Sequence, residues 1–361
     1  MKKILVGVLV LCFAFLAGCG KKNLNNLEIV ALFESKNAFN NMCKGVYNDM
    51  IFAVQNFPDK FAMQFLDMTG KEVKKFDIKR GKGPGELMHA LFARINNDFI
   101  YIADFALKRL NKFDMDGKFI ESIEFSEETG IIVSAEVVGD YLYFHSLQNI
   151  YFGKMNIITG KIEKFIPHPK TGNPVNGELI DAVYVKYDQL ANKFYLGHMN
   201  MPYKIDIYND NLEKESEITY EVKGDVKPMK WFITERQMDP IGAMMITSMA
   251  YDEKYIYAPI QSTQTDIKND KFYLDPIQTG VLVFDKITHK CVAVLKNERF
   301  EGTEGEFNVV GVTKDYIVIE DVDNNFVAKN LLNDPNHPVG VEARMIAVCK
   351  KPQDPAAVAL N

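Results

Sequence analysis

The sequence lacks the motifs that most readily identify an enzyme or a nucleic-acid-binding protein. Its 361 residues contain 5 cysteines, none of them in a CxxC pair, and this spacing argues against a zinc site. The formal net charge is −6 without any basic block, so a nucleic-acid partner is not expected. No Gly-x-Ser-x-Gly elbow, HExxH helix or Cys/His nucleophile context occurs, and the sequence therefore predicts no catalytic residue and no cofactor.

The few cysteines divide between the N-terminal segment and the body of the chain. Cys12 and Cys19 belong to that segment, which leaves Cys43, Cys291 and Cys349. Three is an odd number for a disulfide framework, and buried thiols are the expectation for these residues. The alternative is a Cys43–Cys349 bridge that ties the two ends of the domain together.

One long apolar run stands at the N-terminus, and no later stretch is apolar enough to span a membrane. The run covers residues 4–16, follows Lys2 and Lys3, and is itself too short for a comfortable span. It leads into Leu-Ala-Gly-Cys, and these residues resemble the lipobox of bacterial lipoproteins. The resemblance implies a signal peptide over residues 1–18, cleavage before Cys19, and acylation of this cysteine by chains such as palmitate.

Lipidation of Cys19 would place the mature protein on a membrane of the bacterial cell envelope, on either the periplasmic or the surface side. Two or more acyl chains hold a protein on a bilayer stably. The lipidated cysteine and a short tether form residues 19–26, and residues 20–26 span at most about 25 Å. Cleavage removes Lys2 and Lys3, so the net charge changes from −6 to −8. An ordinary secretory signal or an N-terminal anchor helix is the alternative.

Helical periodicity is nearly absent from the rest of the chain, where short alternating runs of Ile, Val, Tyr and Phe recur instead. This pattern is typical of β-strands. Several segments share one plan of strand, short turn and strand, with Asp, Asn or Gly in the turn. They cover residues 61–78, 107–125, 152–168, 203–220 and 280–297. A further strand precedes most of these hairpins or begins a terminal unit, in residues 98–105, 140–147, 192–199, 254–260 and 315–321.

The spacing of the hairpins decides the fold class. Successive turns lie roughly 40–50 residues apart, a period typical of the blades of a β-propeller. Five hairpins and a terminal unit predict an all-β, six-bladed propeller over residues 27–350, followed by a tail over residues 351–361. A longer last interval predicts an insertion around residues 225–250, which allows seven blades if it hides a degenerate unit. We expect residues 27–34 to complete the last blade and close the ring.

One repeat carries a family resemblance. Residues 100–120 resemble a unit of the NHL-type repeats, in which a strand ends in Ala-Asp and is followed by an Arg, an Asn-containing strand and an Asp-x-x-Gly turn. The chain as a whole is similar to six-bladed β-propeller lipoproteins of the TolB-like/NHL-like group. The resemblance implies the fold and no particular activity, because propellers host many unrelated functions.

A glycine-rich stretch at residues 80–87 has the composition of a phosphate-binding loop but not its pattern. A P-loop requires Lys-Ser/Thr and a helix after its glycines, and here Gly85 is followed by Glu86. A related stretch at residues 301–307 occupies the same phase between two repeats, and both resemble the interblade connectors of propellers. We therefore expect tight turns at these junctions, with Glu86 and Glu306 bonded to backbone or to neighbouring blades.

Of the 6 histidines, His145 and His198 are the two weak candidates for metal ligands. Both lie late in what reads as the first strand of a repeat, so they can approach the mouth of the channel from adjacent blades. Separately hydrogen-bonded histidines are the simpler interpretation, because no carboxylate or third histidine recurs in phase. Asp104 occupies a similar phase, and for this residue the family resemblance implies a turn-stabilising role.

The lipobox-like N-terminal segment, the propeller repeat and the lack of catalytic motifs together predict a non-enzymatic, membrane-anchored module. Its expected role is to bind or scaffold a protein or a glycan in the cell envelope. The alternative is a metal-assisted hydrolase or lyase with its site at the mouth of the propeller channel. A structural member of an envelope complex is a third interpretation. The Met-rich stretch at residues 232–249 fits a core or a lid better than a binding surface.

Overall fold

The computed structural model arranges the chain as six antiparallel sheets of four strands each, with two further two-stranded hairpins. Residues 1–26, which include the predicted signal peptide and Cys19, lie outside the described residues. Within the described part of the chain, no helix has the length and apolar character needed to cross a bilayer. The structure describes residues 27–34, 43–147, 149–168, 182–200, 202–224, 226–227, 230–233, 238–241, 245–260, 263–268, 271–276, 280–297, 307–322 and 344–357.

The first three sheets follow one another along the chain, after a strand β1 (Glu28–Glu34) that belongs to the last sheet. Sheet 1 contains β2 (Lys44–Tyr47), β3 (Met50–Asn56), β4 (Lys60–Leu66) and β5 (Glu72–Lys79). Sheet 2 contains β6 (Ala90–Asn96), β7 (Phe99–Asp104), β8 (Arg109–Asp114) and β9 (Phe119–Glu124), with a short 3-10 helix Glu127–Thr129 after it. Sheet 3 contains β10 (Ile132–Val138), β11 (Tyr141–Ser146), β12 (Ile150–Asn156) and β13 (Lys161–Pro167).

The last three sheets carry the two extra hairpins. Sheet 4 contains β14 (Val183–Asp188), β15 (Lys193–His198), β16 (Tyr203–Tyr208) and β17 (Lys214–Tyr220), and a hairpin of β18 (Lys230–Ile233) and β19 (Met238–Ile241) follows. Sheet 5 contains β20 (Ala250–Tyr251), β21 (Tyr255–Ile260), β24 (Gly280–Asp285) and β25 (Cys291–Leu295). A separate hairpin of β22 (Thr263–Lys268) and β23 (Lys271–Pro276) lies between β21 and β24 in the chain. Sheet 6 contains β26 (Phe307–Val312), β27 (Tyr316–Val322), β28 (Arg344–Lys350) and β1, with a 3-10 helix Pro355–Ala357 beyond it.

The first strands of the sheets pack against one another around a central axis. Strands β2, β6, β10 and β14 are neighbours in this order, and β26 contacts both β20 and β2. The predicted all-β, six-bladed propeller is therefore confirmed, and the insertion forms a hairpin rather than a seventh blade. One detail of the prediction was wrong. Residues 98–105, 140–147, 192–199, 254–260 and 315–321 form second strands, because an additional strand precedes each of them at the axis.

The N-terminal strand closes the ring, as the sequence predicts. Strand β1 pairs antiparallel with β28, and Glu28 lies opposite Lys350 while Glu34 lies opposite Met345. Just before β1, the buried side chain of Leu27 packs with residues of sheets 5 and 6. The backbone N–H of Leu27 donates to the carbonyl of Lys296 at 3.1 Å. The first described residues of the chain thus complete its last sheet and leave no open edge on β28.

The turn residues that reveal the repeat act through their side chains. At the turn between β8 and β9, the Asp114 carboxylate accepts hydrogen bonds from the backbone N–H groups of Asp116 and Lys118, both at 2.9 Å. Gly117 in this turn has a φ of +84°, which favours glycine. The same side-chain-to-backbone bonds stabilise the other turns between third and fourth strands, with Asp67, Asn156, Asn209 and Asp285 as acceptors.

The hydrophobic core is divided into six clusters, one at each junction between neighbouring sheets. The part of the Met-rich stretch that the structure describes lies in one of them. Met245, Ile246 and Met249 are buried between sheets 4 and 5. This agrees with the expected core role of the stretch.

The three cysteines beyond the N-terminal segment are not joined by disulfides. Cys43 is buried at the junction of sheets 1 and 2, and Cys349 is buried at the junction of sheets 5 and 6. Burial raises the pKa of the Cys349 thiol to about 12, so it stays protonated at neutral pH. The expected thiols at these two positions are confirmed, and the alternative Cys43–Cys349 bridge was wrong because the two side chains pack in different clusters.

Candidate binding cavity

All six first strands line one cavity at the centre of the ring. The cavity has a volume of about 1150 Å³. It opens at the edge that carries the turns between first and second strands, which we call the first-turn face. The connectors between sheets and the turns between second and third strands lie at the opposite edge, which we call the connector face. Exposed turn residues form the rim of the cavity: Gln189, Leu190, Glu253, Lys254, Lys314 and Asp315.

Deep in the cavity, one carboxylate lies between two cations. The Nε of Arg94 is 2.9 Å from Oε1 of Glu136, and the Nζ of Lys186 is 3.2 Å from the same oxygen. The three residues belong to β6, β10 and β14, and each lies two positions before the end of its strand. Because side chains alternate along a strand, this shared register directs all three toward the axis.

Both cations are charged at neutral pH despite their burial. Burial alone would lower the pKa of Arg94, but the charge of Glu136 acts in the opposite direction and the pKa of the guanidinium is raised above its ordinary value. Lys186 has the same two influences, and its pKa is also raised. Two cations therefore share one carboxylate oxygen at this point.

Tyrosine side chains form much of the cavity wall. The hydroxyl of Tyr257 donates to the Asp252 carboxylate at 2.8 Å, and the hydroxyl of Tyr251 accepts from the backbone N–H of Gln189 at 3.2 Å. Tyr184 interacts electrostatically with both Arg94 and Lys186, and among the described residues its hydroxyl has no hydrogen-bonding partner. The tyrosines that line the cavity are Tyr47, Tyr184, Tyr251, Tyr255, Tyr257 and Tyr316.

A buried ion pair holds the rim between sheets 4 and 5. Asp188 is fully buried at the end of β14, and its carboxylate pairs with the Lys286 ammonium from the turn after β24. The same carboxylate accepts from the Tyr195 hydroxyl at 3.0 Å and from the backbone N–H of Leu190 at 2.9 Å. Lys286 Nζ also lies 4.9 Å from the ring centre of Tyr251. Asp188 thus positions both a rim turn and a cavity wall.

A second buried ion pair lies at the junction where the ring closes. Lys44 of β2 and Glu320 of β27 join sheets 1 and 6, and both side chains are inaccessible to solvent. Lys44 also borders the cavity. The ion pair therefore links the wall of the cavity to the junction that the N-terminal strand completes.

The predicted metal candidates His145 and His198 do not reach this cavity. They lie at the ends of the second strands β11 and β15, near the connector face. The Nδ1 of His145 lies 2.9 Å from the carbonyl oxygen of Tyr151, and the Nε2 of His198 lies 3.1 Å from the Tyr151 hydroxyl. Their expected position at the channel mouth on first strands was wrong, because an unrecognised strand separates each of them from the axis.

The surroundings of His198 form a hydrogen-bonded junction between sheets 3 and 4. Its Nε2 lies 2.9 Å from a carboxylate oxygen of Asp206, to which the Tyr151 hydroxyl also donates at 3.0 Å. Burial alone would raise the pKa of the Asp206 carboxyl. Hydrogen bonds from His198 and Lys214 have a larger effect in the opposite direction, so the pKa is well below its ordinary range. No three His, Cys, Asp or Glu side chains come together as a metal-ligand group within the ranges described above.

The glycine-rich stretch at residues 80–87 is a connector between sheets 1 and 2. The Glu86 carboxylate accepts from the backbone N–H of Gly83 at 2.7 Å and pairs with Lys79. The guanidinium of Arg109 donates to the carbonyl oxygens of Gly83 and Glu86, at 2.6 and 2.8 Å. The expected bonding of Glu86 to backbone is confirmed, and Glu306 lies outside the described residues.

Asp104 stabilises the turn after β7. One of its carboxylate oxygens accepts from the backbone N–H of Leu107 at 3.0 Å, and the other accepts from that of Met88 at 2.6 Å. Because Met88 belongs to the connector, Asp104 fastens the connector to the second strand of sheet 2. The turn-stabilising role implied by the family resemblance is confirmed.

Sequence reasoning did not single out Arg94, Glu136 or Lys186. A signal was nevertheless available, because each residue stands three positions before the turn that joins a first strand to a second. Opposite charges recurring at one fixed distance from successive turns indicate side chains that share one side of a ring. The signal is weak without the knowledge that a strand precedes each of these turns.

Comparison with solved structures bears on the fold. A member of the DUF4221 family from Bacteroides vulgatus is 14% identical with a TM-score of 0.50, and the match covers 91% of this chain and 99% of that one. The chain is a six-bladed β-propeller. At this identity the likeness shows the fold alone.

Two other matches have lower TM-scores. A Bacteroides fragilis protein thought to be exported is 12% identical with a TM-score of 0.46, over 91% of this chain and 95% of that one. The WD40 domain of Neurospora crassa Pan2 is 12% identical with a TM-score of 0.46, over 91% of this propeller and 96% of that domain. No protein-family model matches the chain, and no curated protein matches it.

Proposed function

We propose that this propeller is a lipid-anchored binding module of the bacterial cell envelope, of the NHL-like kind, and that its ligand occupies the cavity on the first-turn face. The observation that carries the proposal is a cavity of about 1150 Å³ into which all six sheets contribute charged or aromatic side chains. Ligand sites are concave, largely preformed and equipped with a few convergent polar groups. The cavity has each of these properties, and its partner is a protein or a glycan.

The buried polar groups of the cavity support binding over a purely structural role. A structural core is stabilised by apolar packing, and buried ion pairs contribute little net stability in place of apolar side chains. Arg94, Glu136 and Lys186 nevertheless occupy the axis, where first strands could equally present apolar residues. Charged groups that are retained at the base of an open cavity are best explained by recognition of a polar partner.

Blocking the rim tests this proposal. We expect the double variant Gln189→Trp/Lys314→Trp to lose binding at least tenfold, because two indoles at the rim narrow the entrance to the cavity. Lys82→Trp/Asn149→Trp adds the same bulk to the connector face and serves as the matched control. The full chain in detergent is measured against immobilised glycans and purified envelope proteins. Loss of binding in the connector-face variant, with the rim variant unaffected, contradicts the proposal.

Replacing Cys19 with alanine tests the lipid anchor. The lipobox resemblance predicts that Cys19→Ala moves the protein from the membrane fraction to the soluble fraction almost completely, because acyl chains supply the anchoring free energy. Cys43→Ala is the matched control, since this cysteine is buried in the propeller. Fractionation with quantitative blotting measures the distribution. An unchanged membrane share in the Cys19 variant is incompatible with lipidation at this residue.

A further inference from the structure

We infer that the cavity binds a saccharide that carries a carboxylate, and that the acid group sits beside Lys186, Arg94 and the Tyr184 hydroxyl. This inference rests on the proposed binding function and adds the chemical class of the ligand. It is carried by three observations: two cations that share one carboxylate, access to Lys186 from the cavity, and tyrosines in the wall.

The first observation is the charge at the base of the cavity. Arg94 and Lys186 both contact Oε1 of Glu136, so one carboxylate serves two cations. In surroundings of low dielectric constant, a cation attracts an ion of opposite sign more strongly than it would in water. A ligand carboxylate would form charge-assisted hydrogen bonds with the Lys186 ammonium.

The second observation is that Lys186 can be reached. Its side chain is 26% exposed, compared with 7% for Arg94 and 10% for Glu136. The ammonium has three donors, and the contact with Glu136 uses one of them. An anion that reaches the base of the cavity therefore meets Lys186 before Arg94. Tyr184, whose hydroxyl has no partner among the described residues, lies where it can donate to the same anion.

The third observation concerns the walls. Four of the cavity tyrosines are partly exposed, and a tyrosine side chain combines a flat apolar ring with a hydroxyl at one end. They are Tyr47, Tyr251, Tyr255 and Tyr316. A sugar ring matches such a surface, because its C–H face packs on the aromatic ring while its hydroxyls form hydrogen bonds at the edge. The cavity volume of about 1150 Å³ is large enough for a short oligosaccharide. These features favour an acidic saccharide over an acidic peptide.

Calorimetric titration of the full chain in detergent tests the inference. The probes are three acidic trisaccharides that carry galacturonate, glucuronate or sialate, and the matched probe is the neutral β-1,4-galactotriose. We expect at least one acidic probe to bind ten times more tightly than the neutral one, with an affinity that falls as salt is added. Lys186→Gln weakens this binding by about ten- to a hundredfold, because it removes a hydrogen bond to a charged group.

A substitution of opposite sign sharpens the test. Glu136→Gln removes the internal carboxylate that competes for the two cations, so we expect tighter binding of the acidic probe. Tyr184→Phe keeps the shape of the wall and weakens binding several-fold, which gives an independent measurement if a charge variant does not fold. Lys60→Gln, at an exposed ion pair on the outside of sheet 1, is the control and leaves the affinity unchanged.

Each remaining outcome overturns the inference. Equal binding of acidic and neutral probes, with no effect of Lys186→Gln, rejects the carboxylate but leaves the proposed binding function in place. Binding of tri-glutamate with no binding of any acidic saccharide rejects the sugar. Absence of binding by all three acidic probes at millimolar concentration rejects the inference outright. The rim variants described above decide separately whether the cavity binds a different ligand.

Discussion

Replacing Asp188 with alanine lowers the free energy of unfolding by about 3–5 kcal/mol, because it removes the partner of a buried cation. The Lys286 side chain is only 9% exposed and pairs with the fully buried Asp188 carboxylate. The substitution also leaves the Tyr195 hydroxyl and two backbone N–H groups of the rim turn without their acceptor. Urea denaturation followed by circular dichroism measures the change, with the slope of the transition as a check on two-state behaviour.

Two further variants separate the charge from the hydrogen bonds. Asp188→Asn keeps an oxygen acceptor for the turn and loses the charge, so we expect a smaller loss of stability than with alanine. Lys286→Met replaces the cation with an apolar side chain of similar length and leaves Asp188 with its hydrogen bonds from Tyr195 and the turn. An unfolding midpoint of Asp188→Ala equal to that of the natural protein would show that the ion pair contributes nothing.

Removing the N-terminal strand is expected to open the ring. A chain that begins at residue 35 lacks β1, whereas a chain that begins at residue 27 retains it. The loss uncovers the edge of β28 and the apolar surface under Leu27, Leu32 and Phe33. At about 1.5–3 kcal/mol for the fully buried Leu27 and about half of that for each of the two partly buried side chains, this surface is worth roughly 3–6 kcal/mol. We expect the midpoint of thermal unfolding to fall by about 10 °C or more.

Addition of the missing strand as a peptide provides the control. A synthetic peptide of residues 27–34 should add to the edge of β28 and recover part of the lost stability, because it restores the same backbone hydrogen bonds. A peptide of the same composition in scrambled order should not. If chains beginning at residues 27 and 35 melt at the same temperature, β1 does not close the ring.

The fold could be predicted from the sequence because the turns between third and fourth strands repeat a visible chemistry. Asp114 and its counterparts bond the backbone of their own turns, and such residues recur wherever a hairpin must reverse. The outer strands next to these turns alternate between exposed and less exposed residues, as β17 does, and are readily recognised. Closure by β1 followed from the need to cover an edge strand.

The candidate site could not be predicted because it lies on the first strands, which have the weakest alternation of apolar and polar residues. Strand β10 is buried along most of its length and carries Glu136 among apolar residues, so no alternation marks it. Strand β20 has 2 residues and gives almost no pattern. Because the pattern does not reveal these strands, the sequence places His145 and His198 on first strands, from which they can approach the mouth of the channel.

The overlooked strands also explain why composition gave little functional information. The charges that matter are few, and they are separated by 42 residues from Arg94 to Glu136 and by 50 residues from Glu136 to Lys186. They come within hydrogen-bonding distance because β6, β10 and β14 pack side by side around the axis. The residues of such a site are far apart in the sequence and meet only in the folded protein, whereas the residues of a P-loop or a zinc motif lie in one short segment.

A crystal structure of the protein soaked with the acidic trisaccharide that binds most tightly will show where the ligand lies. We expect the sugar in the cavity on the first-turn face, with its carboxylate within hydrogen-bonding distance of Lys186 Nζ and the Tyr184 hydroxyl. A sugar bound instead on the connector face, beside His198 and away from Lys186, would contradict this expectation.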